Sequence, residues 1–297
     1  MTEPEVVIDV KDVTYAYAPE MPLALDHVSL QIHKGDFIAL LGQNGAGKTT
    51  LAKMFNGLLR PIGGSVNIGG LDTRNATVSN FAARVGYCYQ NPDHQIFNRT
   101  VYSEAAFGPR NLGLSPTELT ERVDHALKLV GLADKKDAYP FLLGKGERQK
   151  LAVASVLAMG SPIVVVDEPT TGLDIQGIRS IMALLQQWNQ VEGRTIIVIS
   201  HDIHIVAEYI PRTVVMAKGK VVADGPTRSI LSNSEALAPA GLKPPQVTRV
   251  AQRLSHHGIP RDVMTVDELL VALKVAFNGG ADALSTTKEG VSDASRL

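Results

Sequence analysis

The sequence predicts an α/β fold built around a phosphate-binding loop. It adds an antiparallel β portion near the N-terminus, a helical insert and a small C-terminal helical domain. Three observations carry this. The run DFIALLG (36–42) is a short apolar strand that ends in glycine and feeds GQNGAGKTT (42–50). IVVVDE (163–168) and TIIVIS (195–200) are continuously apolar, the pattern of parallel strands covered on both faces. Segments with apolar residues at helical spacing separate these runs.

The elements follow in order. Residues 5–32 alternate β-branched and polar positions, as half-buried antiparallel strands do. After strand 36–42 comes a helix, TTLAKMFNGLL (49–59), and residues 61–90 read as further strands joined by Gly-rich turns. Residues 99–160 read mainly as helix, with Pro116–Val130 and Arg148–Met159 the clearest cases. A helix, IRSIMALLQQWNQ (178–190), lies between strands 163–168 and 195–200, and 213–223 reads as a hairpin. From residue 226 the character changes. LKPPQVTRVAQRLSHHG (242–258) and TVDELLVALKVAF (265–277) are two amphipathic helices with their own proline punctuation. Two short helices have little core of their own, which points to a role in dimerisation. The expected division is 1–228, 229–276 and a polar tail, 277–297, whose low content of bulky residues predicts disorder.

Composition narrows the function. The chain has 297 residues, 29 Lys plus Arg against 30 Asp plus Glu, and a formal net charge of -1. It has no basic excess of the kind that marks a nucleic-acid partner, so no nucleic acid is expected. Its single cysteine, Cys88, forms no internal disulfide and fits a reducing cytoplasm. The N-terminus, MTEPEVVIDV, is acidic and lacks the basic and apolar parts of a signal peptide. The longest apolar stretch, Leu151–Val166, is interrupted by Ser155, Gly160, Ser161 and Pro162. A membrane span needs roughly 20 apolar residues. The chain is therefore expected to be soluble, with any membrane role exercised through a partner.

The stretch Gly42–Thr50 carries the most specific chemistry. Gly42, Gly47, Lys48 and Thr49 match the G-x-x-x-x-G-K-[ST] pattern. Glycines let backbone N–H groups curl around phosphate oxygens, and the helix that follows points its positive end at the same anion. Lys48 is placed to reach the β and γ phosphates, and the Thr49 hydroxyl to coordinate Mg2+. IVVVDE ends in two carboxylates. Asp167 is the candidate Mg2+ holder and Glu168 the candidate base for an attacking water. His201 follows TIIVIS and should emerge at the same edge of the sheet. Neither His201 with His204 nor His256 with His257 has the thiol neighbours or spacing of a zinc site.

Taken together, GQNGAGKTT, IVVVDEPTTGLD and SHD, in that order, resemble the ATP-binding subunit of an ABC transporter over about residues 5–228. The resemblance implies a P-loop ABC-type ATPase domain: a RecA-like core with an antiparallel β portion and a helical subdomain at about 99–160. It implies that Tyr17 stacks on adenine and that Gly42, Gln43, Asn44, Gly45, Ala46, Gly47, Lys48, Thr49 and Thr50 hold the ATP phosphates. Gln90 would sense Mg2+ and the attacking water. Asp167 would serve Mg2+, Glu168 catalysis, Asp174 the loop after that strand, and His201 the γ-phosphate.

QNPDHQIF, followed by EAAFGPRNLGL, and the segment LKPPQVTRVAQRL are similar to the energy-coupling factor ATPases, which include cobalt-import proteins. That narrower resemblance implies a motor for import of a vitamin or transition-metal ion, cobalt and nickel among them. It implies three partners: a second ATPase chain, identical or related; a transmembrane coupling protein; and a small substrate-capturing membrane protein. The chain would sit peripherally at the cytoplasmic face of the cell membrane. The segment after Gln90, with Ile96 and Phe97, would meet the coupling protein.

One motif departs from the family. The ABC signature LSGGQ falls on Leu143–Glu147, LGKGE. Its serine is replaced by Gly144, its first glycine by Lys145 and its glutamine by Glu147, while Gly146 is retained. The resemblance implies that this helix N-terminus faces the ATP of the other subunit. Gly144 removes a hydroxyl donor and Lys145 restores attraction as a point charge. Glu147 suits the helix dipole but repels phosphate if it points inward. The alternatives are the ATPase of another ABC importer type or a soluble ABC ATPase. The second needs coiled coils, paired ATPase units or basic patches, none of which is visible in the sequence. A GTP switch would need Asn-Lys-x-Asp, which is absent.

Overall fold

A computed structural model of the chain describes residues 4–278. β1 (Val6–Tyr15) and β2 (Leu25–His33) pair antiparallel, with Ile8 opposite Ile32 and Val10 opposite Leu30. β3 (Phe37–Leu41) is buried throughout and leads through the glycine loop into α1 (Lys48–Phe55). β4 (Gly63–Ile68) adds to β1, and β5 (Leu71–Asp72) adds to β4. These four strands form one sheet, in the order β2-β1-β4-β5. A short α2 (Val78–Ala82) and β6 (Val85–Cys88) follow. The insert contains α3 (Val101–Asn111), α4 (Pro116–Leu129) and α5 (Lys145–Met159).

The second half alternates strand and helix. It runs β7 (Ile163–Asp167), α6 (Ile175–Glu192), β8 (Thr195–Ser200), α7 (Ile203–Tyr209), β9 (Arg212–Ala217) and β10 (Lys220–Pro226). The main sheet has the order β10-β9-β3-β8-β7-β6. It is parallel except for β10, which pairs antiparallel with β9. α8 (Thr227–Ser232), α9 (Ser234–Leu237), α10 (Gln246–Arg253) and α11 (Val266–Asn278) complete the described chain.

The continuous apolar character of β3 has a simple cause. Phe37, Ala39 and Leu41 face a core shared with α3 to α6, where Leu185 and Trp188 are fully buried. Ile38 and Leu40 face the opposite core, shared with α1 and the antiparallel sheet. A strand packed on both faces has no polar side to show.

Several boundaries differ from those expected. α5 begins at Lys145 rather than Arg148, because Glu147 Oε2 accepts the Gly144 N–H at 3.2 Å and starts the helix early. α1 stops at Phe55, since Gly57 lies at φ 73° and breaks the path to Leu59. The short helices α2, α7, α8 and α9 carry too few turns to show periodicity. α8 and α9 contribute Leu231 and Leu237 to the larger core, and position 228/229 lies inside α8. α11 runs through Asn278 and so takes in the first two residues of the stretch expected to be disordered. Its apolar positions continue to Phe277, ahead of Gly279-Gly280. The rest of that stretch, 279–297, lies outside the described residues. A small cluster of Ala251, Ile259 and Val263 joins α10 to α11. Arg228 ties α8 to this unit through Glu268 at 2.6 Å and the Asp262 carbonyl at 2.7 Å. Among the described residues no helix is long and apolar enough to cross a membrane.

Candidate functional site

Parallel register assembles the site. Leu41 pairs with Ser200 and Asp167 with Ile199, so β3, β7 and β8 end together. The residues that follow, Gly42, Glu168 and His201, therefore leave the sheet at one carboxyl edge, where open α/β sheets bind ligands. Gly42 is required by close approach: a Cβ there would run into the Met216 carbonyl of β9. Gly47 is required by conformation, at φ 101°, and a Cβ there would lie 2.7 Å from the Ala24 oxygen. Gly47 opens α1 with no side-chain cap, leaving the N-terminal N–H groups free for an anion.

A cavity of about 310 Å³ is lined by Tyr17, Asn44 to Thr50, Gln90, Asp167 and Glu168. Lys48 is buried and curls onto the loop, donating to the carbonyls of Gly42 at 2.7 Å and Gln43 at 3.0 Å. Burial lowers its pKa, against the pull of the Glu168 and Asp167 carboxylates. Asp167 Oδ2 accepts from Thr49 Oγ1 and from the Tyr87 hydroxyl, each at 3.1 Å. Burial pushes the Asp167 carboxyl above the usual carboxylate range, with both hydrogen bonds and Lys48 opposing. A buried carboxylate against a threonine hydroxyl is a hard-oxygen pair, the donor type magnesium takes. Tyr87 is itself pushed up, first by burial and then by the Asp167 charge. The same causes push the buried Cys88 thiol up to about 12.

Glu168 is buried and sits at φ 48°, a left-handed conformation that costs a non-glycine residue energy. Its N–H donates to the Ile199 carbonyl at 2.9 Å, which fixes the backbone to β8. Glu168 Oε1 lies 2.6 Å from His201 Nδ1. With the carboxylate ionised, Nδ1–H donates and Nε2 stays free at the surface. The Tyr17 hydroxyl lies 2.9 Å from Thr50 Oγ1, and its ring stands edge-on to Tyr15, largely exposed.

The remaining expected residues lie elsewhere. Gln43 turns behind the loop, where its Nε2 meets the Gly241 carbonyl at 3.4 Å. Gly146 and Asp174 line a different cavity of about 590 Å³, together with Glu147, Lys150 and Gly172. Lys145 Nζ lies directly against Gly172, and Gly144 is the exposed residue that immediately precedes α5. Asp174 caps α6 through the Gly177 N–H at 2.7 Å. Within one chain, then, Gly144, Lys145, Gly146 and Asp174 do not reach the phosphate loop's cavity.

Four supporting residues had no sequence signal of their own. Tyr87 holds Asp167. Gln95 holds the loop after Gln90, accepting from Tyr89 N at 3.2 Å and donating to the Ala152 carbonyl of α5 at 3.0 Å. Buried Glu104 accepts from the N–H groups of Phe97 and Asn98 and from the Asn98 amide. Lys135 pairs with Glu147 at 2.5 Å. The Ile96-Phe97 pair splits. Ile96 belongs to the core, and only Phe97 faces outward, 61% exposed, with its ring edge-on to Phe107 at 4.7 Å.

A glycine phosphate loop, a strand-end Asp-Glu and a histidine after the next strand, all at one sheet edge, define a P-loop ATP-binding domain. Comparison with known proteins narrows the class. Residues 25–171 match the family described as ABC transporter. The energy-coupling factor transporter ATP-binding protein EcfA1 of Caldanaerobacter subterraneus is 39% identical over 270 residues, covering 89% of this chain and 97% of that protein. A putative ABC transporter ATP-binding protein of the same organism is 46% identical over 270 residues; the alignment covers 91% of this chain and 46% of that relative. This chain thus spans about half of that relative's length. The solved structure of cbiO1 from Clostridium perfringens, part of the ABC transporter complex cbiONQ, superposes with a TM-score of 0.72 at 32% identity. It covers 86% of this chain and 98% of that one. The chain belongs to the ABC transporter ATP-binding proteins, in their energy-coupling factor branch.

Proposed function

We propose that this chain is the ATP-hydrolysing motor of a membrane importer for a vitamin or a transition-metal ion, cobalt included. The observation that carries the reading is the convergence of Tyr17, the phosphate loop, Gln90, Asp167 and Glu168 on one cavity, with His201 on the Glu168 carboxylate. Tyr17 offers an aromatic face to the adenine. Lys48 leaves the loop carbonyls for the β and γ phosphates, which also meet the N–H groups of Gly45 to Thr49. Thr49 and Asp167 would hold Mg2+, which supplies charge neutralisation at the transferring phosphoryl group. Glu168 takes up the proton of the attacking water, and His201 Nδ1–H holds that carboxylate in one orientation. Gln90 sits at the cavity mouth and links this chemistry to the loop ending at Phe97.

Of the signature residues, Gly146 and Glu147, with Asp174, line a separate cavity, and Lys145 lies against Gly172 of its wall. That separation fits a head-to-tail pair of ATPase chains, in which each signature faces the other chain's ATP. Closure on ATP and opening after hydrolysis then move a transmembrane coupling protein, docked at Phe97 and Phe107, which serves a small substrate-capturing membrane protein. The exposed apolar residues of α11, Val271, Val275 and Phe277 among them, suit it to dimerisation. With no spanning helix among the described residues, the chain would attach peripherally at the cytoplasmic face of the membrane through these partners. Cobalt comes to this reading from the resemblance of QNPDHQIF, EAAFGPRNLGL and LKPPQVTRVAQRL to the cobalt-import members of the family.

The test is a pull-down of the tagged chain from its own gently solubilised membranes, with mass spectrometry of every partner. Recovery of a polytopic membrane protein and a small one supports the importer. Recovery of no membrane protein, with a control complex intact, would count against it and favour a soluble ATPase.

A further inference from the structure

The altered signature carries an extra negative charge, and the structure shows where that charge goes. Glu147 lies in the first turn of α5, at the edge of the cavity it shares with Gly146, Lys150 and Asp174. Both its oxygens are engaged. Oε1 takes Lys135 Nζ at 2.5 Å and Oε2 takes the Gly144 N–H at 3.2 Å. Lys135 ends a short turn, Ala133–Lys135, that follows α4. That turn is held firmly. Leu132 N donates to the Leu127 carbonyl at 2.8 Å, and the neighbouring Lys136 pairs with Asp124 of α4 at 2.6 Å while its carbonyl accepts from Tyr102 N at 2.9 Å. Other charges nearby are Lys145, which lies on Gly172, Lys150 one turn along α5, Asp174 across the shared cavity and Asp134 beside Lys135.

We propose that Lys135 is a positioning residue for the signature half-site: it pins and neutralises Glu147, which lines the signature cavity, and so keeps that carboxylate from repelling the phosphate of the facing subunit. The assignment rests on the head-to-tail reading above. A neutral glutamine at position 147 would need no such partner. A glutamate there opposes the positive helix end that attracts phosphate, unless a cation cancels it. The lysine also lets Glu147 cap the Gly144 N–H, a task for which Gly144 offers no reciprocal side chain. The carboxylate is held below its usual range first by the Lys135 hydrogen bond and then by the Gly144 N–H, against burial. The pair is more than a third exposed on both sides, so it contributes little to folding stability. Its effect falls on the electrostatics of the half-site.

The test uses the solubilised complex isolated through a tag on this chain, comparing wild type, Lys135→Met, Glu147→Gln and the double variant. Lys135→Met is expected to raise the KM for ATP about five-fold with kcat nearly unchanged, by exposing an unpaired anion to phosphate. Raising the ionic strength should shrink that defect, and Glu147→Gln in the same chain should restore KM. The thermal midpoint should stay the same in all four. An active wild type with an unaltered Lys135→Met KM would overturn the assignment alone. So would a defect that Glu147→Gln does not rescue, or one that salt leaves intact, since a packing loss behaves that way. A wild-type complex that hydrolyses no ATP would overturn the motor reading and this assignment with it.

Discussion

Two adjacent carboxylates, Asp167 and Glu168, sit at the end of one strand and are given different tasks by their surroundings. Glu168 has the bond to His201 and a left-handed backbone that aims it into the cavity. Glu168→Gln keeps the shape and removes the proposed base, so hydrolysis should fall by about 10²–10⁴-fold while ATP binding, followed by nucleotide fluorescence, persists. Lost binding would mean that Glu168 holds the nucleotide rather than the water. Asp167 is buried and its pKa is raised. A carboxyl whose folded pKa lies above its unfolded value weakens folding where it is ionised, and the penalty disappears as pH falls through the folded value. Asp167→Asn should therefore stabilise the nucleotide-free protein by on the order of 1 kcal/mol at neutral pH, with the gain shrinking toward acid pH in denaturant titrations. The same variant should lose Mg2+-dependent ATP binding. A variant less stable than wild type at pH 7 would show that the Thr49 and Tyr87 hydrogen bonds outweigh the burial.

At the scale of the element, legibility followed physical redundancy. The phosphate loop was readable because a close backbone approach restricts Gly42, and a left-handed conformation restricts Gly47, to glycine. The strands at 163–168 and 195–200 were readable because burial on both faces leaves only apolar residues. α4 was readable from Pro116 to within a residue of its end, since it combines a serine cap at Ser115, a proline start and a full amphipathic stripe. The short helices were not readable. α8 and α9 each place a single leucine, Leu231 or Leu237, in the core, and one residue has no period. The supporting contacts were hidden for a different reason: Tyr87 meets Asp167 across 80 residues of chain, and no local pattern encodes such a contact. The buried leucines give a direct check. Leu237→Ala should cost about 2–5 kcal/mol in chemical unfolding. A cost below 1 kcal/mol would mean that the region after α8 packs independently of the main core.

Across the whole molecule, two cavities on one chain serve two different ATP molecules in the proposed pair, and each is built by a different part of the fold. The main sheet supplies the cavity of the phosphate loop. The helical insert, through α5, supplies the signature. Motion between these parts would change the alignment of the two half-sites without disturbing either one. Following such motion requires reporters, and Cys88 decides how easily they can be attached. It is the chain's one cysteine. It is buried, and its pKa is about 12, so almost none of it is thiolate near neutral pH. The folded protein should take up no maleimide over an hour at pH 7, while the unfolded chain should take up one, read as a mass increment; a labelled native protein would show that β6 opens. For spectroscopy, the wild-type sequence should then behave as a cysteine-free background. Dyes placed at an exposed position in the insert and another in the main sheet would report interdomain distance in single molecules, with the native thiol left in place.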